Sequence, residues 1–436
     1  MALGGGIYTI KNKTIPGAYI NFVSASRASV NMGDRGVVAV PMALSWGVDG
    51  KVFTVEHEEF QKNSLKLFGY DYTADEIKDI REIFRNAVKV HFYRLNSDGA
   101  TASGGLATAV CKGTRGNDLQ YVVSANVDDE SKFDVKLYLG TALVAEQIGI
   151  ASAADLVNND FVVWNKEGDL GVSTQKLSGG TDGTAITGTQ HQTALTKLES
   201  HNCNVLCCTS AESSVIGLYV AYTKRMRDQV GVKFQCCVYK TETADYEGVV
   251  SVENKVLDGA ENGLVYWTSG ALAGCAVNKS NTNKVYDGEY TVDVDYTQSE
   301  LEAGIKAGKF MFHSVEDEIR VLTDVNTFTS FTEEKNVDFS KNQVIRVLDQ
   351  IGNDIGATFN NKYLGKVQND KDGRVSFWSD IVAHHRELET LRAIQDFNPD
   401  EVVVEAVEGD KTAVQVSDAV IPTAAMEKLY MTVVVH

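Results

Sequence analysis

Several things this sequence lacks narrow its function. It has no excess of bases: 41 Lys and Arg against 59 Asp and Glu leave a formal net charge of −18 over 436 residues. Nucleic-acid and anionic-membrane binders need a basic face, so neither DNA, RNA nor a membrane is expected as a direct partner. No apolar run approaches the roughly 18 residues of a membrane span. The opening Met1-Ala2-Leu3-Gly4-Gly5-Gly6 has neither the basic nor the apolar region of a secretory signal. The seven cysteines show no disulfide or metal spacing. Cys207-Cys208 and Cys236-Cys237 sit in strand-like runs, where adjacent side chains point to opposite faces, whereas zinc takes pairs from turns. They read as reduced, buried small hydrophobes, as in a protein made in a cytosol.

Catalytic patterns are missing too. Gly179-Gly180-Thr181-Asp182-Gly183 is glycine-rich, but Thr184-Ala185 follows where a phosphate loop needs Lys-[Ser/Thr]. The eight histidines contain no His-x₃-His or His-Glu-x₂-His spacing, and there is no Gly-x-Ser-x-Gly elbow or Asp-rich calcium loop. His384 falls on the apolar face of a helix pattern beside an outward-facing His385, and reads as a core histidine with a local hydrogen bond. Glu56-His57-Glu58-Glu59 reads as a solvated helix start. No cofactor, metal or catalytic residue is expected. A site assembled from scattered residues stays open, and an oligomeric α/β enzyme with an inserted β-domain is the alternative. It would show a pocket of convergent ionisable groups at the C-terminal ends of strands 204–209 and 232–239.

What is present suggests several domains, since the chain is too long for one core. Residues 1–27 hold Lys11, Lys13 and Arg27 and no acid, and have short extended segments broken at Ile15-Pro16-Gly17. They read as an arm. An α/β body is expected over 28–95 and 180–334. It includes strands 36–44 and 88–95, and a helix capped by Thr73 and Glu76 with Ile77, Ile80, Phe84 and Ala87 on one face. It continues with helix 191–200, strand 204–209, helix 211–228 capped by Thr209 and Glu212, and strand 232–239. Between its halves, residues 96–179 alternate short strands with turns, the pattern of an inserted β-sandwich or barrel.

Residues 335–422 read as a C-terminal α+β domain. In a helix over 339–364, Val344, Val347, Leu348, Ile351, Ile355 and Phe359 make one apolar stripe. A second helix over 373–394 places Phe377, Ile381, His384, Leu388 and Leu391 likewise. Strands 401–407 and 412–416 then turn around Glu408-Gly409-Asp410. Two helices against a lone hairpin leave a short, unfinished sheet. Residues 423–436 form a second arm, in which Leu429-Tyr430-Met431-Thr432-Val433-Val434-Val435 is an uncharged, β-branched strand. With no following turn, it must pair with its own sheet or with an edge on another molecule.

Several stretches resemble the contractile tail sheath proteins of myophages and phage-tail-like bacteriocins. Ile15-Pro16-Gly17-Ala18-Tyr19-Ile20-Asn21-Phe22 resembles the family's entry from arm to body. Arg35-Gly36-Val37-Val38-Ala39-Val40-Pro41 through Ser45-Trp46-Gly47 resembles its first strand, and residues 177–183 its exit from the inserted domain. Phe397-Asn398-Pro399-Asp400 and residues 430–435 resemble the C-terminal domain and its arm. The resemblance spans nearly the whole chain. It implies a homo-oligomer of stacked hexameric rings around an inner tail tube protein, with baseplate and tail terminator proteins as further partners, in a virion or tail-like particle assembled in the host bacterial cytoplasm. It also implies that both arms add strands to neighbouring subunits. The expected contacts are Ile7, Tyr8, Ile10, Lys11, Lys13, Tyr19, Ile20 and Phe22 in the first arm. In the hairpin they are Val402, Val404, Glu405, Glu408, Val414 and Val416, and in the second arm Tyr430, Met431, Thr432, Val433, Val434 and Val435. A tail-tube or baseplate protein is a weaker alternative, since those are mostly β and this chain has long helix patterns.

Overall fold

The structure, a computed structural model, describes residues 35–435. It divides into two compact units. One holds residues 35–353 with 391–395 and 421–435; the other holds 354–390 and 396–420.

The larger unit begins with β1 (Val37–Met42), β2 (Phe53–Glu56), α1 (His57–Phe68), α2 (Lys78–Phe84) and β3 (Lys89–Arg94). An inserted all-β region follows: β4 (Thr101–Gly104), β5 (Ala107–Lys112), β6 (Leu119–Ala125), β7 (Phe133–Leu139), β8 (Ala142–Ile150), β9 (Val162–Trp164) and β10 (Ser173–Lys176). The α/β rhythm resumes with α3 (Gly188–Leu198), β11 (Val205–Cys207), α4 (Ser213–Arg225), β12 (Gln235–Tyr239), β13 (Val249–Val252), α5 (Leu264–Gly274), α6 (Gln298–Lys306), β14 (Lys309–Phe310), β15 (Phe312–Val315) and β16 (Glu318–Val321).

Seven of these strands form one sheet in the order β14-β13-β12-β11-β1-β3-β2, parallel throughout except where β2 meets β3. The sheet is covered on both faces, as parallel sheets are. Val38, Val40, Val205, Cys207 and Cys237 face a core shared with Ile77, Ile80, Phe84 and Ala87. Ala39, Leu206, Cys208, Cys236 and Val238 face the opposite core, with Leu195, Leu198, Val215 and Tyr219. Strand alternation therefore sends each cysteine pair to two cores, and burial raises the thiol pKa values of Cys208 and Cys237 to about 12.

Helix α5 has no apolar stripe because every residue from Leu264 to Ala273 is buried. It approaches α2 so closely that a Cβ on Gly270 would lie 2.3 Å from the Ile83 carbonyl oxygen. Two expected caps are replaced. Thr73 bonds Asp71 through both its amide and hydroxyl, so it does not cap α2. The Thr209 hydroxyl donates to the Pro41 carbonyl at 2.7 Å, and α4 starts at Glu212 without a side-chain cap. Capping boxes are found instead at Thr187 with Gln190 on α3 and at Thr297 with Glu300 on α6, among others.

The inserted region is a sandwich of β4-β5-β9 against β10-β6-β7-β8. It is not self-contained, because the fully buried Trp46 from the loop after β1 belongs to its core and stacks on Phe161 at 6.1 Å. Buried Arg94, the last residue of β3, donates to the Lys112 carbonyl on β5 at 2.8 Å. Asp98 and Asp182, on the two connecting stretches, hold Thr184 and Thr114.

Helix α7 (Asn342–Thr358) spans the division between the units. Up to Asn353 it belongs with the body because polar groups hold it there. Arg227 forks onto Asp349 at 2.6 and 2.7 Å, Arg346 meets Asp324 at 3.2 Å, and Asn353 exchanges two hydrogen bonds with the Lys233 backbone. The smaller unit continues with the π-helical turn Phe359–Tyr363 and α8 (Lys371–Thr390). The body then takes β17 (Ile394–Gln395), after which β18 (Val403–Ala406) and β19 (Val414–Ser417) form the smaller unit's hairpin. β20 (Ile421–Pro422) returns to pair with β17. Helix α8 ends before Leu391, which is 39% exposed rather than on the inner face. The smaller core gathers Tyr363, Phe377, Ile381, Val382 and Val402.

Candidate assembly interface

The hairpin pairs Val403 with Ser417, Val404 with Val416, Glu405 with Gln415 and Ala406 with Val414. Among the described residues neither outer edge meets a third strand. Such a ribbon is marginal alone and offers two open edges. Local contacts shape it. Gly409 turns the chain at φ +84°. Asp410 accepts from the Thr412 hydroxyl and amide, which hold its carboxyl below the usual range. The Asn369 amide donates to the Lys411 and Ala413 carbonyls at 3.0 and 2.9 Å.

At the hairpin's foot, the Asp418 carboxylate accepts from His385 Nε2 at 2.6 Å, and His384 Nε2 faces Asp354 at 3.0 Å. The two imidazoles meet Nδ1 to Nδ1 at 3.2 Å. His385 is thus fully buried, not outward-facing, because the Asp418 carboxylate and the Phe397 ring cover it.

Of the expected hairpin contacts, Glu405 and Glu408 are exposed, Val404 and Val414 half-buried, and Val416 is 37% exposed. Val402 is corrected: it precedes β18 and is buried in the unit's own core, so its side chain is not free for a neighbour. Residues 429–435 do not form a strand within this chain. Among the described residues no backbone hydrogen bond joins them to another segment, and without one an extended segment has no ladder to join. Tyr430 is 89% and Val435 89% exposed, with Met431, Val433 and Val434 nearly as open. The first arm's expected contacts, Ile7 to Phe22, lie outside the described residues.

The root of the second arm is fixed, a feature with no sequence pattern to announce it. The Thr423 amide donates to the Ala393 carbonyl, and the Ala425 amide to Gln343 Oε1, each at 2.9 Å. Glu427 takes Lys341 Nζ at 2.6 Å and the Thr282 and Thr323 hydroxyls at 2.7 and 3.2 Å. Burial alone would push its carboxyl up, but these donors hold it below its ordinary pKa.

Family comparisons decide what these elements belong to. Four models match consecutive parts of the chain: the N-terminal region of tail sheath protein Gp18 domain III (35–95), the phage tail sheath β-sandwich domain (97–182), the central domain (184–327) and the C-terminal domain (334–436). The chain belongs to the phage tail sheath family. The phage-like element PBSX protein XkdK of Bacillus subtilis is 30% identical over 99% of this chain and 100% of its own. The sheath tail protein of Desulfitobacterium hafniense superposes with a TM-score of 0.83 at 33% identity, covering 95% of this chain and 99% of that one. The contracted helical sheath of the anti-feeding prophage shares the fold, with a TM-score of 0.55 at 12% identity, over 96% and 99% of the two chains.

The sheath subunit does have crevices at the C-terminal ends of its parallel strands. One of about 300 Å³, between the ends of β1 and β11, is lined by Asp79, His191, Glu212 and Tyr266. Burial raises the Asp79 carboxyl even though Tyr290 and Tyr266 hydrogen-bond it, and lowers His191 to about 4. His191 spends Nδ1 on the Tyr219 hydroxyl at 2.8 Å. A second crevice of about 350 Å³ holds Lys240, Glu242, Glu253 and Lys309. Among the described residues no cluster has the composition of a metal site.

Proposed function

We propose that this subunit polymerises into stacked hexameric rings around an inner tail tube, and that the assembled sheath contracts to drive the tube through a target cell envelope. Baseplate and tail terminator proteins cap the two ends, and the particle assembles in the bacterial cytoplasm. The subunit performs no catalysis. One observation carries the reading: among the described residues the hairpin has two open edges, and the exposed, uncharged, β-branched arm has no strand partner. Strand addition between copies satisfies both, with backbone bonds supplying strength and alternate side chains the register. The net charge of −18 makes copies repel, so the contacts must offset that cost.

Deletion of residues 428–436 leaves Glu427 and β20 in place, and therefore removes the arm without disturbing its root. The truncated chain should stay folded and monomeric, with no cylinders in electron micrographs where the full chain forms them. Cylinders of normal length from the truncated chain would rule out the arm as connector.

A further inference from the structure

We propose that the smaller unit holds one proton beyond the two of its neutral imidazoles, shared along Asp418, His385, His384 and Asp354. That proton fastens the hairpin's foot to α7 and α8, and its loss at alkaline pH loosens the hairpin. The device lies within one unit of one chain and does not depend on how copies assemble.

The protons can be counted. Three contacts link the four groups: Asp418 to His385 Nε2 at 2.6 Å, His385 Nδ1 to His384 Nδ1 at 3.2 Å, and His384 Nε2 to Asp354 at 3.0 Å. Each is a hydrogen bond only if a proton lies in it. A neutral imidazole carries one N–H, so the pair supplies two protons for three bonds. With both protons on Nε2, the Nδ1 lone pairs face each other. With one moved to Nδ1, a carboxylate faces a bare ring nitrogen. Either arrangement buries a repulsion that water cannot relieve. A third proton completes all three bonds, whether it is written on a ring or on a carboxyl group.

The surroundings keep the link dry. Both imidazoles are fully buried, Asp354 is buried, and the Phe397 ring stands edge-on to His385 with centroids 5.1 Å apart. The charged groups that meet the rings are Asp354 from α7 and Asp418 from the residue after β19, so a cation between them is attracted from both ends. On α8 itself, Glu389 is spent on the Phe397 amide at 3.0 Å, and Arg386 and Glu387 are exposed. Among the described residues no third donor joins the two nitrogens as a metal site requires.

The pH dependence follows from where the proton goes. An opened histidine sheds its added proton above about pH 6.5. The closed link keeps it, so closing takes up a proton. Above about pH 6.5 the closed state is therefore disfavoured about tenfold per pH unit, until the closed link sheds its own proton. Below that pH the contribution of this proton is fully present. His191, lowered to about 4, titrates below this window, and a thiol freed by unfolding ionises near about pH 8.5, above it.

Amide hydrogen exchange of the full chain, read by mass spectrometry from about pH 6.5 to 8 and corrected for intrinsic rates, tests this at residues 403–406 and 414–418. In the parent, protection there should fall about tenfold per pH unit. His384→Gln and His385→Gln should each remove the fall, because a carboxamide donates and accepts without an added proton. Asp418→Asn keeps an acceptor for His385 but not its charge, so the fall should be smaller and end at a lower pH. That variant decides the matter if the histidine variants do not fold. Protection in the parent that stays constant over this range would mean that there is no third proton, and would overturn the proposal. So would a fall that persists unchanged in either histidine variant, or one that Asp418→Asn leaves as large as in the parent.

Discussion

Strand β1 in the body pairs on both sides and has five of its six residues buried, whereas β18 and β19 pair only with each other and bury none fully. The body completes its sheet from its own sequence, with helices over both faces, so its side chains contribute chiefly to folding. Among the described residues the smaller unit has one two-stranded hairpin and leaves Val416 37% exposed, so on the proposed reading part of its apolar surface is buried by another copy. The same residue type therefore has different consequences in the two regions. A large apolar side chain lost from the body should cost the fold, and one lost from the hairpin edge should cost assembly.

The largest effect is expected at Trp267. It is fully buried, donates its indole N–H to Asp287 at 2.7 Å, and packs edge-on against Tyr286 and Phe312. Trp267→Ala should lower unfolding free energy by about 4 kcal/mol. By contrast Val416→Ala should leave urea unfolding of the monomer within about 0.5 kcal/mol of the parent. Equal losses at the two positions would end the contrast.

Next comes the ionic seat of α7 in the body. Burial works against the Arg227 cation, but Asp349 outweighs it and raises the pKa further. Arg227→Met strands a buried carboxylate and should cost about 3 kcal/mol in urea unfolding. Adding Asp349→Leu should recover most of that loss, since a well-packed apolar pair can replace a buried ion pair. No recovery would mean that Arg227 acts through packing.

The body should also lose stability in mild acid through one buried histidine. Burial lowers His191 from 6.5 to about 4, so the unfolded chain takes up a proton there before the folded chain does. The stability from this group is fully present above pH 6.5 and is lost as pH falls toward 4. Between pH 6.5 and 5 the loss should be about 1.5 kcal/mol. His191→Gln should flatten that part of the melting-temperature profile; an unchanged slope would place the acid sensitivity elsewhere.

These contrasts were unevenly legible in the sequence. The apolar run of β1 and the stripe Ile77, Ile80, Phe84, Ala87 announce a buried strand and helix, and both fold that way. Helix α5 does not announce itself, because a helix buried on every side has no period to read. Thr73 looked like a cap but serves Asp71, a nearer partner that pattern alone cannot rank. The hairpin could be read from its alternation and its Glu-Gly-Asp turn. The groove that Phe359, Tyr363, Leu364 and Val367 line beside it could not, since the first two reach it through a π-helical turn and the others through a loop. His385 fell on the outward side of its helix by spacing, and Asp418, far along the chain, buried it.

The smallest effect, and the one that reaches the first arm, is electrostatic. Residues 1–27 hold Lys11, Lys13 and Arg27 and no acid, while 396–410 hold Asp396, Asp400, Glu401, Glu405, Glu408 and Asp410 and no base. The acidic β18 edge therefore suits the basic first arm of another copy. Each exposed ion pair should contribute only about 0–1 kcal/mol, so charge selects the edge while backbone hydrogen bonds supply the strength. Lys11→Glu with Lys13→Glu should therefore weaken assembly modestly, and more at low salt, where screening is least. Glu405→Lys with Glu408→Lys in the same chain should restore part of it, because opposite signs again meet at β18. Restoration that vanishes at high salt would match a screened, edge-selecting contact. A quadruple variant no better than the Lys→Glu double would place the first arm at some other surface, and the β18 edge would then need a different occupant.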